Sequence, residues 1–195
     1  MKDYYDRHYK DYYQRTVSAD SSSFLSQFLK ILKPESSVLD IGCGSGRDLL
    51  WLKQNGMKPV GLEQSKGLAE LAKKHSGCDV IDADFELVDF STMQVDGILF
   101  SASMVHIAHE QVHIVIRHAL QALKQTGFMY VSLKEGDSMK VDSAGRRFYL
   151  WRDDALRVVF RKLNLEVIHF ARSGSVMGRD VVWLGYVLEK KEPEV

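Results

Sequence analysis

Three glycines, Gly42, Gly44 and Gly46, directly follow the apolar run Val38-Leu39-Asp40-Ile41 and lead into a helical pattern over residues 47–54. Glycine has no Cβ, so a chain built this way can turn sharply at the end of a strand and bring its backbone close to a ligand. The spacing predicts a strand, a tight turn and a helix, with a ligand at the strand's carboxyl end. Glu63 closes the next apolar run, Val60-Gly61-Leu62-Glu63. A carboxylate about 20 residues beyond such a turn can accept both hydroxyl protons of a ribose. The expected ligand therefore contains an unphosphorylated ribose.

The rest of the chain supports the same architecture. Short apolar runs over residues 37–41, 59–62, 79–81, 95–100 and 128–133 read as strands. Helical periodicity is present over residues 24–32, 47–54, 66–74 and 111–123, the last with Val112, Val115, Ile116, Ala119, Leu120 and Leu123 on one face. A helix over 153–163 and two strands over 165–171 and 181–188, separated by a loop with Gly174 and Gly178, complete the pattern. Alternating strands and helices predict a doubly wound α/β fold, mostly parallel, with helices on both faces and a C-terminal antiparallel hairpin. The chain reads as one domain: a helical segment over 1–33, a ligand-binding core over 34–135, and a substrate loop, last helix and hairpin over 136–195. Residues 189–195 read as a frayed acidic tail.

Lys+Arg and Asp+Glu balance at 26 each. No dense basic cluster marks a surface for polyanions, which argues against nucleic acid as a partner. The two cysteines, Cys43 and Cys78, form neither a disulfide framework nor a metal quartet. No apolar stretch is long enough to span a membrane, and the first residues lack the apolar centre of a signal peptide. A soluble, cytoplasmic protein is expected.

Two ligands use a turn and a carboxylate of this kind: a nicotinamide dinucleotide and S-adenosylmethionine (SAM). Dinucleotide sites favour Gly-x-Gly-x-x-Gly, which lays a pyrophosphate on a helix N-terminus. Here Arg47 stands at the third glycine position of that fingerprint, and the pattern is Asp-x-Gly-x-Gly-x-Gly. Asp40 is placed to anchor polar parts of a zwitterionic amino acid, which SAM carries in place of phosphate. SAM is favoured.

The chain from about residue 13 to 190 resembles the class I SAM-dependent methyltransferases. Residues 38–48, Glu63, Asp82-Ala83-Asp84-Phe85 and the run from Val95 to Ser103 occur in the order of that family's motifs. The resemblance implies a Rossmann-like, seven-stranded sheet and a methyl transfer from SAM. It implies that Gly42, Cys43 and Gly44 form the cofactor turn and that Glu63 binds the ribose, where the family usually has Asp. Asp84 would accept from the adenine amino group, Phe85 would offer its backbone N–H, Gln64 would cover the ring, and Ser101 would sit near the methyl. Tyr12-Tyr13-Gln14-Arg15-Thr16, Gly46-Arg47-Asp48, the run from Ala102 to His106 and Gly145-Arg146-Arg147-Phe148 are similar to small bacterial tellurite-resistance-like methyltransferases. That similarity implies that the N-terminal segment folds over the cofactor, with Tyr13 on its methionine portion.

Several residues bear on the acceptor, which is expected to be a small molecule. His106 follows the fourth strand and has a side chain suited to taking a proton near neutrality; the alternative is a histidine that shapes its loop. Arg146, Arg147 and Tyr149 could form a cationic and aromatic wall for a small anionic or planar acceptor. Equally, the arginines could be solvated while Phe148, Leu150 and Trp151 pack under the loop. Trp183 reads as strand packing. Tyr4, Tyr5 and Tyr9 form either a lid or a staple for a short helix. His109-Glu110-Gln111-Val112-His113 matches the zincin pattern His-Glu-x-x-His, but it opens a helix of the methyltransferase pattern and no third ligand follows at the required spacing. No metal is expected. The Asn/Asp-Pro-Pro-Tyr/Phe motif of amine-methylating nucleic-acid enzymes is absent, with Ser101-Ala102-Ser103-Met104 in its place. The rival functions are a NAD-binding oxidoreductase, a zinc hydrolase, and a SAM-binding protein that does not catalyse.

Overall fold

A computed structural model describes residues 2–175 and 181–192. Two N-terminal helices, α1 (Lys2–Thr16) and α2 (Ser22–Ile31), precede the alternating core. The core runs β1 (Ser37–Ile41), α3 (Arg47–Gln54), β2 (Lys58–Glu63), α4 (Lys66–Ser76), β3 (Val80–Asp82), β4 (Val95–Phe100), α5 (His109–Ala119) and β5 (Leu123–Lys134). A short hairpin, β6 (Met139–Val141) and β7 (Arg147–Tyr149), then leads to α6 (Asp153–Lys162), β8 (Leu165–Gly174) and β9 (Val182–Lys190).

The main sheet has seven strands in the order β3-β2-β1-β4-β5-β9-β8. Pairing is parallel from β3 through β5 and antiparallel for β5 with β9 and β9 with β8. The chain moves outward from β1 to β3, then returns to β4 on the other side of β1. This reversal opens a crevice beyond the carboxyl ends of β1 and β4, where ligands bind in folds of this kind.

Strand residues alternate between the two faces of the sheet. Leu39, Ile98 and Met129 join one core with Val112 and Ile116 of α5 and Phe160 of α6. Their neighbours Val38, Leu99 and Tyr130 join the opposite core with Leu25 and Phe28 of α2. Each such fully buried apolar side chain contributes about 1.5–3 kcal/mol, so both layers of helices are held by the pattern visible in the sequence.

Three boundaries differ from expectation. The helix predicted over 111–123 spans His109–Ala119, because Leu123 pairs with Val95 and extends β5 toward its N-terminus. The β6–β7 hairpin lies where a loop was expected. Glu189 and Lys190, assigned to the frayed tail, belong to β9, where Glu189 pairs with Phe128. Gly178 lies outside the described residues.

Gly46 occupies the left-handed region at φ 76°, and a Cβ there would come within 2.8 Å of the backbone of Ala72 in α4. Gly56 has a similar φ of 80° but open space around it. Gly46→Ala is therefore expected to cost about 2 kcal/mol or more, from strain plus overpacking. Gly56→Ala should cost about 1 kcal/mol, from strain alone. Urea unfolding of the two variants measures the difference.

Candidate functional site

The crevice beyond β1 is built by hydrogen bonds between consecutive turns. The N–H groups of Gly42 and Cys43 both donate to the Leu62 carbonyl, at 2.7 and 3.1 Å. Gly44 N–H donates to Glu63 Oε2 at 3.0 Å and Ser65 N–H to Oε1 at 2.9 Å. Glu63 is 6% exposed. Burial raises its pKa, and the backbone donors pull it back toward the ionised form. Gly42 is needed for a second reason: a Cβ there would stand 2.6 Å from Ser103 Cβ, filling the edge of the crevice.

A cavity of about 320 Å³ occupies this crevice. Of the predicted cofactor residues, Gly42, Gly44, Glu63, Gln64, Asp84, Phe85 and Ser101 line it. Asp84 also accepts the Glu86 N–H at 3.1 Å and so caps the short turn Phe85–Leu87. Among the described lining residues there are three carboxylates, Glu63, Asp84 and Glu86, and no lysine or arginine. Ser103 Oγ is buried at the same wall without a hydrogen-bond partner among the described residues.

Three predicted cofactor residues lie elsewhere. Cys43 is buried beneath the turn with Leu49, Ala72 and Cys78. Asp40 is 1% exposed and outside the cavity lining. Burial and the neighbouring charge of Asp48 hold its carboxyl well above the usual range, and its Oδ2 has no partner among the described residues. Asp48 is tied to Arg47 by bonds of 2.8 and 3.1 Å and accepts the Ser21 hydroxyl at 2.5 Å. Burial pushes the Asp48 carboxyl up, but Arg47 and its hydrogen bonds outweigh that and keep it ionised. Tyr13 packs against His75 of α4, and its neighbour Tyr12 takes the place at the cavity, together with Tyr5. Helical geometry makes the difference, because adjacent residues point about 100° apart around the axis.

His106 lies at the cavity wall in the short turn Met104–His106. Its Nδ1 contacts the carbonyl oxygen of Arg147 and must therefore carry the proton. This leaves Nε2 as the acceptor of the Tyr5 hydroxyl, at 3.0 Å. Burial lowers the His106 pKa to about 4, and the nearby charges of Arg146 and Lys134 add to the effect. The ring is neutral, and its lone pair is engaged by α1.

The predicted substrate residues separate. Arg146 lines a second cavity of about 180 Å³, which shares Tyr5, Tyr12, Ser101 and Ala102 with the first. Arg147 is exposed and contributes its carbonyl to His106, while Tyr149 packs against the His109 ring at 5.4 Å. The His109 ring nitrogen Nε2 donates to the Leu150 carbonyl at 2.7 Å, so this residue of the His-Glu-x-x-His run fastens the loop after β7. No group of three or more metal-ligating side chains gathers among the described residues. Tyr12, Arg47, Lys134 and Trp183, none of them among the predicted site residues, also line these cavities, as does Tyr5, which the sequence offered as a lid or staple. For Lys134 a signal existed, since it stands at the carboxyl end of a parallel strand.

Residues 38–127 match the family model of a methyltransferase domain. An uncharacterised methyltransferase of Oceanobacillus iheyensis is 28% identical over 106 residues, covering 54% of this chain and 48% of that protein. The chain spans about half the length of the curated relatives it matches. The 1,6-didemethyltoxoflavin-N1-methyltransferase of Burkholderia thailandensis, solved with bound 1,6-didemethyltoxoflavin and S-adenosylhomocysteine, superimposes with a TM-score of 0.80 at 17% identity. The match covers 98% of this chain and 87% of that one. The magnesium protoporphyrin IX methyltransferase of Synechocystis, solved with bound SAM, gives 0.76 at 13% identity, covering 97% and 95%. These structural likenesses are of fold. The fold is the one these solved methyltransferases have, and the sequence likeness to a methyltransferase domain extends over residues 38–127.

The depressed His106 pKa links folding to pH. The unfolded chain takes up a proton near pH 6.5, while the folded ring does so only near 4. Stability is thus lost as pH falls through this window and levels off below it. His106→Gln is expected to lose about 3 kcal/mol less than the parent between pH 7 and pH 4. Urea midpoints for the two proteins at both pH values measure this.

Proposed function

We propose that this protein transfers the methyl group of SAM to a small-molecule acceptor. The carboxylate-lined cavity beyond β1 carries the reading. A pyrophosphate would meet Glu63, Asp84 and Glu86 with no lysine or arginine among the described lining residues to neutralise it, whereas a cationic nucleoside suits that charge. The donor groups also fit. Each Glu63 oxygen accepts one backbone N–H and keeps capacity for a ribose hydroxyl. Ser103 Oγ is buried at the wall without a partner among the described residues, and Gly42 and Gly44 line the cavity with backbone alone.

In this reading Glu63 holds the ribose, Asp84 and Phe85 face the adenine, and Tyr12 covers the turn from α1. When bound, SAM supplies a methyl group made electrophilic by its sulfonium. The chain's own contribution is to orient the acceptor and exclude water, which is where much of the rate of such a transfer arises. A small acceptor is supported by the second cavity, of about 180 Å³, and by the 1,6-didemethyltoxoflavin bound in the Burkholderia thailandensis neighbour. No helix among the described residues is long and apolar enough to cross a membrane.

Calorimetry is expected to show binding of SAM and S-adenosylhomocysteine but not NAD. Glu63→Ala should weaken SAM binding by about 1.5–3 kcal/mol through lost hydrogen bonds to a charged group. Binding of NAD without SAM would overturn the reading in favour of an oxidoreductase. Methyl-labelled SAM incubated with a metabolite extract should pass label to small molecules in the presence of the protein. SAM binding without transfer would leave a binding protein and not an enzyme.

A further inference from the structure

The second cavity has the opposite charge character to the first. Among its described lining residues are Arg47, Lys134 and Arg146, and no carboxylate. The counter-ions of the two arginines lie behind the wall: Asp48 and Asp142 hold them but do not line the cavity. Arg47 uses Nε and Nη2 for Asp48, and Arg146 uses Nε and Nη2 for the Asp142 carboxylate. A guanidinium has five N–H donors, so each arginine retains donors for a ligand. The Arg146 side chain is only 11% exposed and lies 4.7 Å from the centre of the Tyr4 ring and 5.1 Å from that of Phe148, which fixes its place.

Aromatic rings make up part of the remaining wall, beside hydroxyl side chains such as Thr16, Ser21 and Ser132. Tyr130, Phe148 and Trp183 line the cavity, and the Lys134 ammonium lies 3.4 Å from the centre of the Phe148 ring. The effect of the cations reaches the neighbouring wall, where the charges of Arg146 and Lys134 help to keep His106 neutral. A volume of about 180 Å³ corresponds to about six water molecules. The cavity is sized for a compact ligand.

We propose that the second cavity binds the methyl acceptor, and that this acceptor is a small planar anion: an aromatic or heteroaromatic acid whose ionised oxygen, nitrogen or sulfur meets Arg146 and Lys134. This rests on the reading of the first cavity as the SAM site. The two cavities share Tyr5, Tyr12, Ser101 and Ala102 and so adjoin; in this proposal the acceptor reaches the methyl carbon directly at that shared border. The acceptor's lone pair forms the new bond to the methyl carbon as the carbon–sulfur pair remains on sulfur. The anion's charge and the sulfonium's charge cancel, and no proton leaves. No general base is required, in agreement with a neutral His106 whose lone pair accepts the Tyr5 hydroxyl. His106 is a positioning residue in this scheme.

The test is calorimetric titration of the full chain, saturated with S-adenosylhomocysteine, with salicylate, thiosalicylate and 2-naphthoate, each against its neutral carboxamide. At least one acid should bind at least about tenfold more tightly than its amide. Arg146→Gln and Lys134→Gln should each weaken that acid about tenfold while leaving S-adenosylhomocysteine affinity unchanged. Two variants are used because Arg146 also ties the β6–β7 turn, and circular dichroism checks that each is folded. If S-adenosylhomocysteine binds but acids and amides bind alike, or none of them binds, the acceptor proposal is overturned and the SAM-site reading stands. An acid preference that survives in both folded variants also overturns it. If S-adenosylhomocysteine itself does not bind, the SAM-site reading fails and the acceptor proposal falls with it.

Discussion

The two backbone N–H groups that Gly44 and Ser65 donate to Glu63 join the turn after β1 to the turn after β2. A carboxylate buried to this degree is costly unless its oxygens are hydrogen-bonded. Here the strand ends satisfy it, and in doing so they fix the mouth of the crevice. The Leu62 carbonyl, which receives the N–H groups of Gly42 and Cys43, completes the joint. One acidic side chain thereby organises the backbone and presents its remaining lone pairs to the cavity. In the proposed SAM site its structural and binding roles are inseparable, because the bonds that hold the turn also aim the carboxylate.

From that joint the site divides by charge. Carboxylates face the cavity beyond β1, and cations face the cavity on the far side of Ser101 and Ala102. Ala102 itself is held in the left-handed region at φ 57°, with its N–H donated to Ser132 Oγ at 2.9 Å. This is a costly conformation for a residue with a Cβ, and it occurs at the wall between the two cavities. The buried Arg47–Asp48 pair sits nearby and couples α3 to Ser21 at the start of α2. Opposite fields in adjoining chambers orient ligands of opposite sign without requiring many specific contacts.

Much of this was legible in the sequence, and the exceptions have physical causes. Short apolar runs and helical periodicity revealed every strand of the main sheet and the core faces of α2 and α5, because burial against the sheet imposes them directly. Gly42, Gly44 and Glu63, which the structure brings to the crevice, were legible because a tight turn and a ribose-binding pattern call for particular residue types at particular distances, while Asp84 came from the family resemblance. The hairpin of β6 and β7 was not: Met139 and Val141 are exposed, so no buried face marks it. Tyr13 was favoured over Tyr12 because the phase of a helix laid over a surface depends on what it packs against. Lys134 and Trp183 come together only through the pairing of β5 with β9, at the register Lys134 with Trp183. Such a contact spans nearly fifty positions of chain and leaves no local pattern.

The placement of α1 has a consequence for how two ligands would share the protein. Tyr5 and Tyr12 belong to both cavities, so docking of this single helix completes both at once. Any molecule that prefers the docked helix in one chamber must favour, by the same free energy, occupancy of the other. Thermodynamic linkage makes that relation reciprocal. If the first ligand bears the entropic cost of ordering the helix, the second is spared it. The N-terminal fifteen residues are then the element through which two otherwise separate binding equilibria become one.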